Sequence, residues 1–273
     1  MIKISNSDYF LPTIEALEAG KVLSSGRTKP TIVRGVSTQT GIKSEYVVKF
    51  KASEHLWQGS NMNELLASFI AIELDFLLPE PVVVNVSVDF VETLKDRHEN
   101  FNLASKSIGF NFGSELQNGF QEIVLGQPLN EDLIMKFRNL FALDVFLGNP
   151  DRRVNRPNFL TNGKDLLIFD HELAFSFTQL FSFARNPQPW IILESDEKWL
   201  SENYAFNVLK GMDINFTDFT DRLTAINNNF WNKAFELVPD EWQNEHGSVI
   251  ESYLSQIVDN KDLFAAELNR VLL

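Results

Sequence analysis

The stretch GNPDRRVNRPNFLTNGKDLLIFDHELAF, residues 148–175, carries the strongest local signals in the chain. Its dipeptide Asn162-Gly163 stands between two apolar runs, a pattern typical of a β-hairpin turn. A two-residue loop would place Asp170 opposite Asn155, whereas a four-residue loop would place Asp170 beside Asn158. Both registers bring Asp170 and an asparagine to the same end of the hairpin.

The loop before this hairpin adds a second carboxylate, Asp151. Two carboxylates and an amide oxygen at one loop end are hard oxygen ligands of the kind that Mg²⁺ prefers. Ordinary turn chemistry is the alternative explanation, because Asn, Asp, Pro and Gly populate structural loops in every class of protein. The stretch alone leaves both interpretations open.

Upstream, Lys49 lies in the strand-like segment YVVKF. Alternation places Lys49 on the face opposite Val48 and Phe50, so for this lysine alone a solvent-exposed face is the favoured interpretation. The other possibility is that Lys49 meets an anion. Glu64 could hold such a lysine, or it could complete a capping box with Asn61 as N-cap.

The wider pattern divides the chain into a sheet-rich and a helical part, with the boundary near residue 112. The first part is expected to hold a helix over residues 11–19, a meander of strands over 21–23, 31–36 and 45–51, a helix over 62–78 ending at Pro79, and a strand over 82–90. A helix capped by Asn130 and ended by Gly148 opens the second part.

Composition excludes several classes of protein. The 273 residues hold 24 Lys and Arg against 37 Asp and Glu, a net charge of −13 that disfavours direct nucleic-acid and anionic-membrane binding. The absence of cysteine removes disulfides and thiolate metal sites. Acids interrupt every long apolar run, so we expect a soluble, cytoplasmic protein.

Taken together, the motifs resemble the HipA-like kinase family, a branch of the protein-kinase-like fold. The resemblance rests on an ordered series: VVKF, MNELLAS, GNPDR, NFL and IFDHELAF. The segments SSGRTKPTIV and EYVVKF are similar to that family's nucleotide-loop hairpin, and FNFGSEL is similar to its crossing between lobes.

This resemblance implies a role for each matching residue. Lys49 would contact the α- and β-phosphates of ATP and Glu64 would orient it, Asp151 would accept the substrate's hydroxyl proton, and Asn158 and Asp170 would hold Mg²⁺. The phosphates would be covered by the backbone of Ser24, Ser25, Gly26, Arg27 and Thr28.

The chain also departs from the pattern of the relatives. Arg156 stands where protein kinases usually place the metal asparagine, and Asn158 is chosen instead because Phe159 and Leu160 follow it directly. Glu172 stands where glycine is common, Arg153 stands where many relatives carry His, and the phosphate loop contains only one glycine.

The resulting expectation is an α+β, two-lobed protein-kinase-like fold. Its N-lobe, residues 1–112, would hold an antiparallel sheet and one helix, and its C-lobe, residues 113–273, would be mostly helical. The expected function is an ATP·Mg²⁺-dependent kinase, with a Ser/Thr protein or a small-molecule hydroxyl as substrate. A non-catalytic nucleotide- or partner-binding module and an acidic interaction domain are the alternatives; the sequence identifies no regulatory or antitoxin partner.

Overall fold

The computed structural model describes residues 1–23, 28–53, 59–123 and 129–273. A sheet-rich N-terminal region is followed by a mostly helical C-terminal part, as the sequence predicts. The N-terminal elements are β1 (Thr13–Val22), β2 (Thr31–Ser37), β3 (Lys43–Lys49), α1 (Ser60–Glu73), β4 (Pro81–Val86), α2 (Val88–Glu92), α3 (His98–Ser105) and β5 (Gly109–Glu115). The later elements are α4 (Glu131–Leu147), β6 (Phe159–Thr161), β7 (Leu166–Ile168), α5 (Glu197–Glu202), α6 (Tyr204–Leu209), α7 (Thr217–Arg222), α8 (Asn228–Leu237), α9 (His246–Asp259) and α10 (Lys261–Arg270).

The first five strands form a closed barrel in the order β1-β2-β3-β5-β4. The antiparallel pairing predicted for the strands over 31–36 and 45–51 is confirmed by β2 and β3. The strand predicted over 21–23 is only the end of β1, which begins at Thr13 and also pairs antiparallel with β2. The expectation of a purely antiparallel sheet is wrong, because β4 runs parallel to β1 and closes the barrel. The FNFGSEL segment forms most of β5, which lies between β3 and β4.

The helix predicted over residues 11–19 is wrong, because this segment forms most of β1. Its Ala, Leu and Glu content favours a helix, but both edges of the strand find backbone partners in β2 and β4. The alternation is broken between Ala16 and Glu18, where the register with β2 shifts. That bulge lets both Ala16 and Ala19 face the barrel core, which hides the period of two in the sequence.

Helix α1 is confirmed, but it ends at Glu73 and not at the predicted Leu78. The chain leaves the helix at Asp75, which adopts a left-handed conformation with φ 64°. The amide of Asp75 then donates to Ile72 O at 3.1 Å and that of Phe76 to Ala71 O at 2.9 Å, the two bonds of a Schellman motif. Aspartate here occupies the left-handed position that is usually glycine, so the sequence contains no glycine that would indicate the end of α1.

The strand predicted over residues 82–90 is correct only in its first half. Ser87 ends β4 and caps α2, because its Oγ accepts a hydrogen bond from the amide of Phe90 at 3.1 Å. The next segment is therefore a short helix.

Local signals place α4 and the hairpin correctly. Asn130 accepts from the amide of Leu133 at 2.8 Å, and Gly148 ends α4 with φ 58°. In the hairpin, Thr161 pairs with Leu166, so the loop is the four-residue one. Asn162 stabilises this loop, because its Oδ1 accepts hydrogen bonds from the backbone amides of Lys164 at 2.9 Å and Asp165 at 2.7 Å.

Two hydrophobic clusters fill the described part of the molecule. The inner side chains of the barrel form the smaller cluster together with apolar residues of α2, α3 and the segment between them. Helix α1 belongs to the larger one, together with α4 and the C-terminal helices, and is buried along nearly its whole length. Among the residues described, no helix combines the length and the apolar character needed to cross a membrane.

Candidate active site

Lys49 is the centre of a buried group of charges. It is the last residue of β3, it is only 8 % exposed, and its Nζ lies 2.8 Å from Glu64 Oε2, 2.5 Å from Asp170 Oδ1 and 3.1 Å from Glu172 Oε2. Burial by itself lowers the pKa of an ammonium, but the three carboxylates outweigh it and hold the pKa of Lys49 well above its usual value. The solvent-exposed interpretation of Lys49 is therefore wrong.

Glu64 projects from α1 and joins two parts of the site. The N-cap of α1 is Gly59, so Glu64 is the fifth helical residue and forms no capping box. Its Oε2 contacts Lys49, and its Oε1 accepts a hydrogen bond from the backbone amide of His171 at 2.9 Å. Burial raises the pKa of Glu64 to about 7, against the opposing effect of Lys49.

Asp170 follows β7 in a left-handed conformation, with φ 62°. Its Oδ1 accepts from Lys49, and its Oδ2 lies 3.2 Å from Arg156 Nη2. Burial alone would raise the pKa of this carboxyl, but Lys49 and then Arg156 lower it below its usual value. Asp170 is therefore ionised and held by two cations.

Asp151 and Asn158 lie side by side at the same open end of the hairpin as Asp170. Asn158 Nδ2 donates to Asp151 Oδ2 at 3.2 Å, and Asn158 adopts a left-handed φ of 48°. The backbone amide of Phe169 donates to Asn158 O at 3.1 Å, which ties this end to the residue before Asp170. Asn155 is exposed. The structure thus brings Asn158 next to Asp151.

A buried network supports this loop from below, and sequence reasoning missed it. Arg152 Nε lies 2.9 and 3.0 Å from the two carboxylate oxygens of Asp144, while its Nη1 donates to Asn158 O. Asn203 Nδ2 donates to Asp144 Oδ2 at 2.9 Å. An aspartate within the apolar LFALDVFL of α4, followed eight residues later by an arginine, was the available signal.

His171 belongs to the same network as a neutral imidazole. Arg152 Nη2 lies 3.2 Å from His171 Nε2 and can only donate, so Nε2 accepts and the proton resides on Nδ1. Burial, and then the positive charges of Arg152 and Lys49, hold the pKa of His171 well below its usual value. The ring therefore positions the loop without adding charge.

Two further site residues were seen in the sequence only as departures from a pattern. Glu172 is buried and contacts Lys49, and burial raises its pKa above the usual value. Arg156 contacts both Asp151 and Asp170. Their partners are distant in sequence or set by the hairpin register, so periodicity could not reveal these contacts.

The donor set suits a hard divalent cation. Carboxylate oxygens of Glu64, Asp170 and Glu172 lie within 4.8 Å of one another, although Lys49 Nζ already lies between them. Counting Asp151, four carboxylates face the two cations Lys49 and Arg156 in these contacts. When all four are ionised, these contacts leave two negative charges uncompensated, and carboxylate oxygens are ligands that Mg²⁺ prefers.

The predicted phosphate-covering residues are placed only in part. Ser24, Ser25, Gly26 and Arg27 lie outside the described residues. Thr28 is buried, and its carbonyl oxygen accepts a hydrogen bond from Ser53 Oγ at 2.9 Å. The role of this segment stays a prediction.

Comparison with known proteins gives one match over nearly the whole chain. A family model described as HipA-like kinase matches residues 18–266. No curated protein matches the chain. The matched range includes every element from the later part of β1 to within α10, and so contains all of the site residues described above.

Proposed function

Because the chain belongs to the HipA-like kinase family, which implies a kinase-type phosphotransferase, we propose that it transfers the γ-phosphate of ATP·Mg²⁺ to a serine or threonine hydroxyl of a protein. We also propose that its barrel region, which includes the whole of β5, and its helical part act as the two lobes of a kinase. The site would then lie where Lys49 and Glu64 meet Asp170.

One observation carries this proposal. Lys49 lies at the end of a barrel strand, and its ammonium nitrogen has two carboxylate oxygens within 3 Å. One belongs to Glu64 of α1 and the other to Asp170, which follows β7. Phosphoryl transfer needs alignment and charge neutralisation more than covalent help from the protein. A buried, permanently charged lysine whose direction is fixed by Glu64 meets that need.

We assign to each side chain the role that the resemblance to the family implies. Lys49 binds the α- and β-phosphates, and Glu64 keeps its ammonium directed into the site. Asp151, held by Asn158 at 3.2 Å, accepts the proton of the attacking hydroxyl. Asn158 and Asp170 supply the oxygen ligands for the metal. Bound Mg²⁺ would neutralise charge on the β- and γ-phosphates.

Arg152 acts through the loop and not on the substrate. Its contacts with Asp144, His171 and the carbonyl of Asn158 fix the backbone on both sides of Asp151. A rigid support of this kind keeps the proposed base and metal ligand at constant spacing. The proposed chemistry therefore depends on residues that never meet ATP.

The test measures nucleotide binding and phosphotransfer separately. The melting temperature is measured with ATP and Mg²⁺, and then phosphate transfer from γ-labelled ATP to the chain itself, to a protein extract and to a panel of small alcohols. We expect a rise in melting temperature and label on protein. Label only on small alcohols would mean that the phosphate acceptor is a small molecule and not a protein. Nucleotide binding without phosphate transfer would indicate a non-catalytic nucleotide-binding module. An unchanged melting temperature with ATP and Mg²⁺ would overturn the proposal.

A further inference from the structure

Arg156 lies between the two carboxylates assigned to catalysis. Its Nη1 is 3.5 Å from Asp151 Oδ2 and its Nη2 is 3.2 Å from Asp170 Oδ2. The backbone fixes its place, because Arg153 and Arg156 exchange two amide-to-carbonyl hydrogen bonds of 3.0 Å. One guanidinium thus joins the proposed base to the proposed metal ligand.

Both oxygens of Asp170 are engaged by cations. Lys49 contacts Oδ1 and Arg156 contacts Oδ2. Lys49 is buried among three carboxylates, whereas the Arg156 side chain is 28 % exposed and its contacts are longer. A divalent cation that approaches Asp170 therefore displaces Arg156 more readily than Lys49.

We propose that Arg156 keeps divalent cations off Asp170 until a nucleotide binds. Resting on the proposed function, the inference is that the phosphates attract the guanidinium away from Asp170, which frees Oδ2 for the metal. A planar guanidinium is suited to both partners, since it pairs with carboxylates and phosphates in the same forked geometry. Metal and nucleotide would then bind cooperatively.

The experiment measures Mn²⁺ binding to the full chain by electron paramagnetic resonance of the free ion. Without nucleotide, Arg156→Gln should bind Mn²⁺ about tenfold more tightly than the parent, a difference of about 1.4 kcal/mol. With a non-hydrolysable ATP analogue present, the two proteins should bind Mn²⁺ with similar affinity. A residue that only stabilised the fold would not change this coupling between metal and nucleotide.

Arg153→Gln is the matched control, because it removes the same charge from an exposed neighbour that contacts Glu202. It should leave Mn²⁺ affinity unchanged. Arg156→Lys keeps the charge but cannot span both carboxylates, so its affinity without nucleotide should fall between those of the parent and Arg156→Gln. If Arg156→Gln fails to fold, the Mn²⁺ affinity of Arg156→Lys without nucleotide provides the test, and an affinity no tighter than that of the parent overturns the inference.

The outcomes separate this inference from the proposed function. Equal or weaker Mn²⁺ binding by Arg156→Gln without nucleotide, or an equal gain in Arg153→Gln, overturns the role of Arg156 while the kinase proposal stands. If neither protein binds Mn²⁺, even with the ATP analogue, the metal site of the proposed function fails and this inference fails with it.

Discussion

Lys49 shows how one side chain can connect three distant segments. Its ammonium compensates carboxylates from α1 and from the loop after β7, each of which would be costly to bury alone. The same ammonium prevents these acids from repelling one another. We therefore expect Lys49 to affect both stability and chemistry.

Lys49→Met should abolish phosphotransfer and destabilise the protein by about 3 kcal/mol at alkaline pH, because it leaves buried carboxylates unpaired. Without Lys49, the pKa of Glu64 and Glu172 rises further, so the folded state binds more protons than the unfolded state. Stability must then decrease as the pH rises and recover toward acidic pH. Thermal melts of parent and variant at about pH 6 and pH 8 measure this difference.

Lys51→Met is the control for Lys49→Met. Lys51 is a half-buried lysine whose Nζ lies 3.7 Å from Glu241 Oε1, away from the site. Its substitution should change activity and the pH dependence little. Equal effects of the two substitutions would point to a general electrostatic role and contradict the role of Lys49.

Asp170→Asn should lower turnover by about 10²- to 10³-fold while the melting temperature changes little. Asparagine accepts the left-handed backbone at this position, and Lys49 keeps Glu64 and Glu172 as partners. Turnover, Mg²⁺ dependence of ATP binding and melting temperature are measured together. Unchanged Mg²⁺-dependent ATP binding would remove Asp170 from the metal site.

Asn158→Ala should raise the Mg²⁺ concentration needed for turnover far more than Asn155→Ala, because Asn158 is buried beside Asp151 and Asn155 is exposed. Alanine is strained at a φ of 48°, so Asn158→Gly serves as a second variant that removes the amide without that strain. Mg²⁺ titrations of turnover give the ranking. A larger effect from Asn155→Ala would show that Asn155 holds the metal.

At the scale of elements, the barrel depends on a close approach between β1 and β2. Gly35 pairs with Ala16 next to the bulge, and a Cβ on Gly35 would lie 2.3 Å from Ile14 Cγ2 and 2.9 Å from Glu15 O. Only a residue without a side chain fits here. This contact fixes the position of β2 against β1.

Gly35→Ala should destabilise the protein by about 2 kcal/mol, because β1 must shift to admit the methyl group. Gly20→Ala is the matched control in the same strand pair, where the nearest atom to a new Cβ is Ile32 O at 3.3 Å. Urea unfolding of both variants gives the comparison. Similar losses at the two positions would mean that the close approach at Gly35 has no special cost.

Elements with local signals could be predicted from the sequence. Asn130 and Gly148 bound α4 through their own hydrogen bonds and dihedral angles, and Asn162 fixes the hairpin loop. The strand β1 could not be recognised, because its partners and its bulge depend on the closed barrel. The contact of Lys49 with Glu172 joins residues 123 positions apart, which no local pattern encodes.

At the scale of the molecule, α1 connects the barrel region to the helical part. Leu65, Phe69 and Ile70 have no exposed surface and share one hydrophobic cluster with α4. Each such side chain contributes about 1.5 to 3 kcal/mol by leaving water. The N-terminal region therefore depends on the C-terminal helices for much of its burial.

A fragment of residues 1–115 should consequently fail to fold cooperatively, although it contains every barrel strand. The full chain should unfold in a single transition, because the larger cluster spans both parts. Circular dichroism melts and amide proton dispersion of the fragment and the full chain provide the measurement. Well-dispersed amide proton signals and a sharp melting transition of the fragment would contradict this expectation. They would show that the barrel region folds without the C-terminal helices.

The sequence distances within the charged site also set the order in which a newly made chain acquires it. Lys49 and Glu64 are 15 residues apart, whereas Lys49 and Asp170 are 121 apart. At ribosomal rates of about 5 to 20 residues per second, Asp170 is synthesised roughly 6 to 24 s after Lys49. For that interval the nascent chain holds the lysine and its first glutamate without the proposed metal ligand. We therefore expect the proposed nucleotide site to be completed only after Asp170 has left the ribosome, when well over half of the 273 residues have been made.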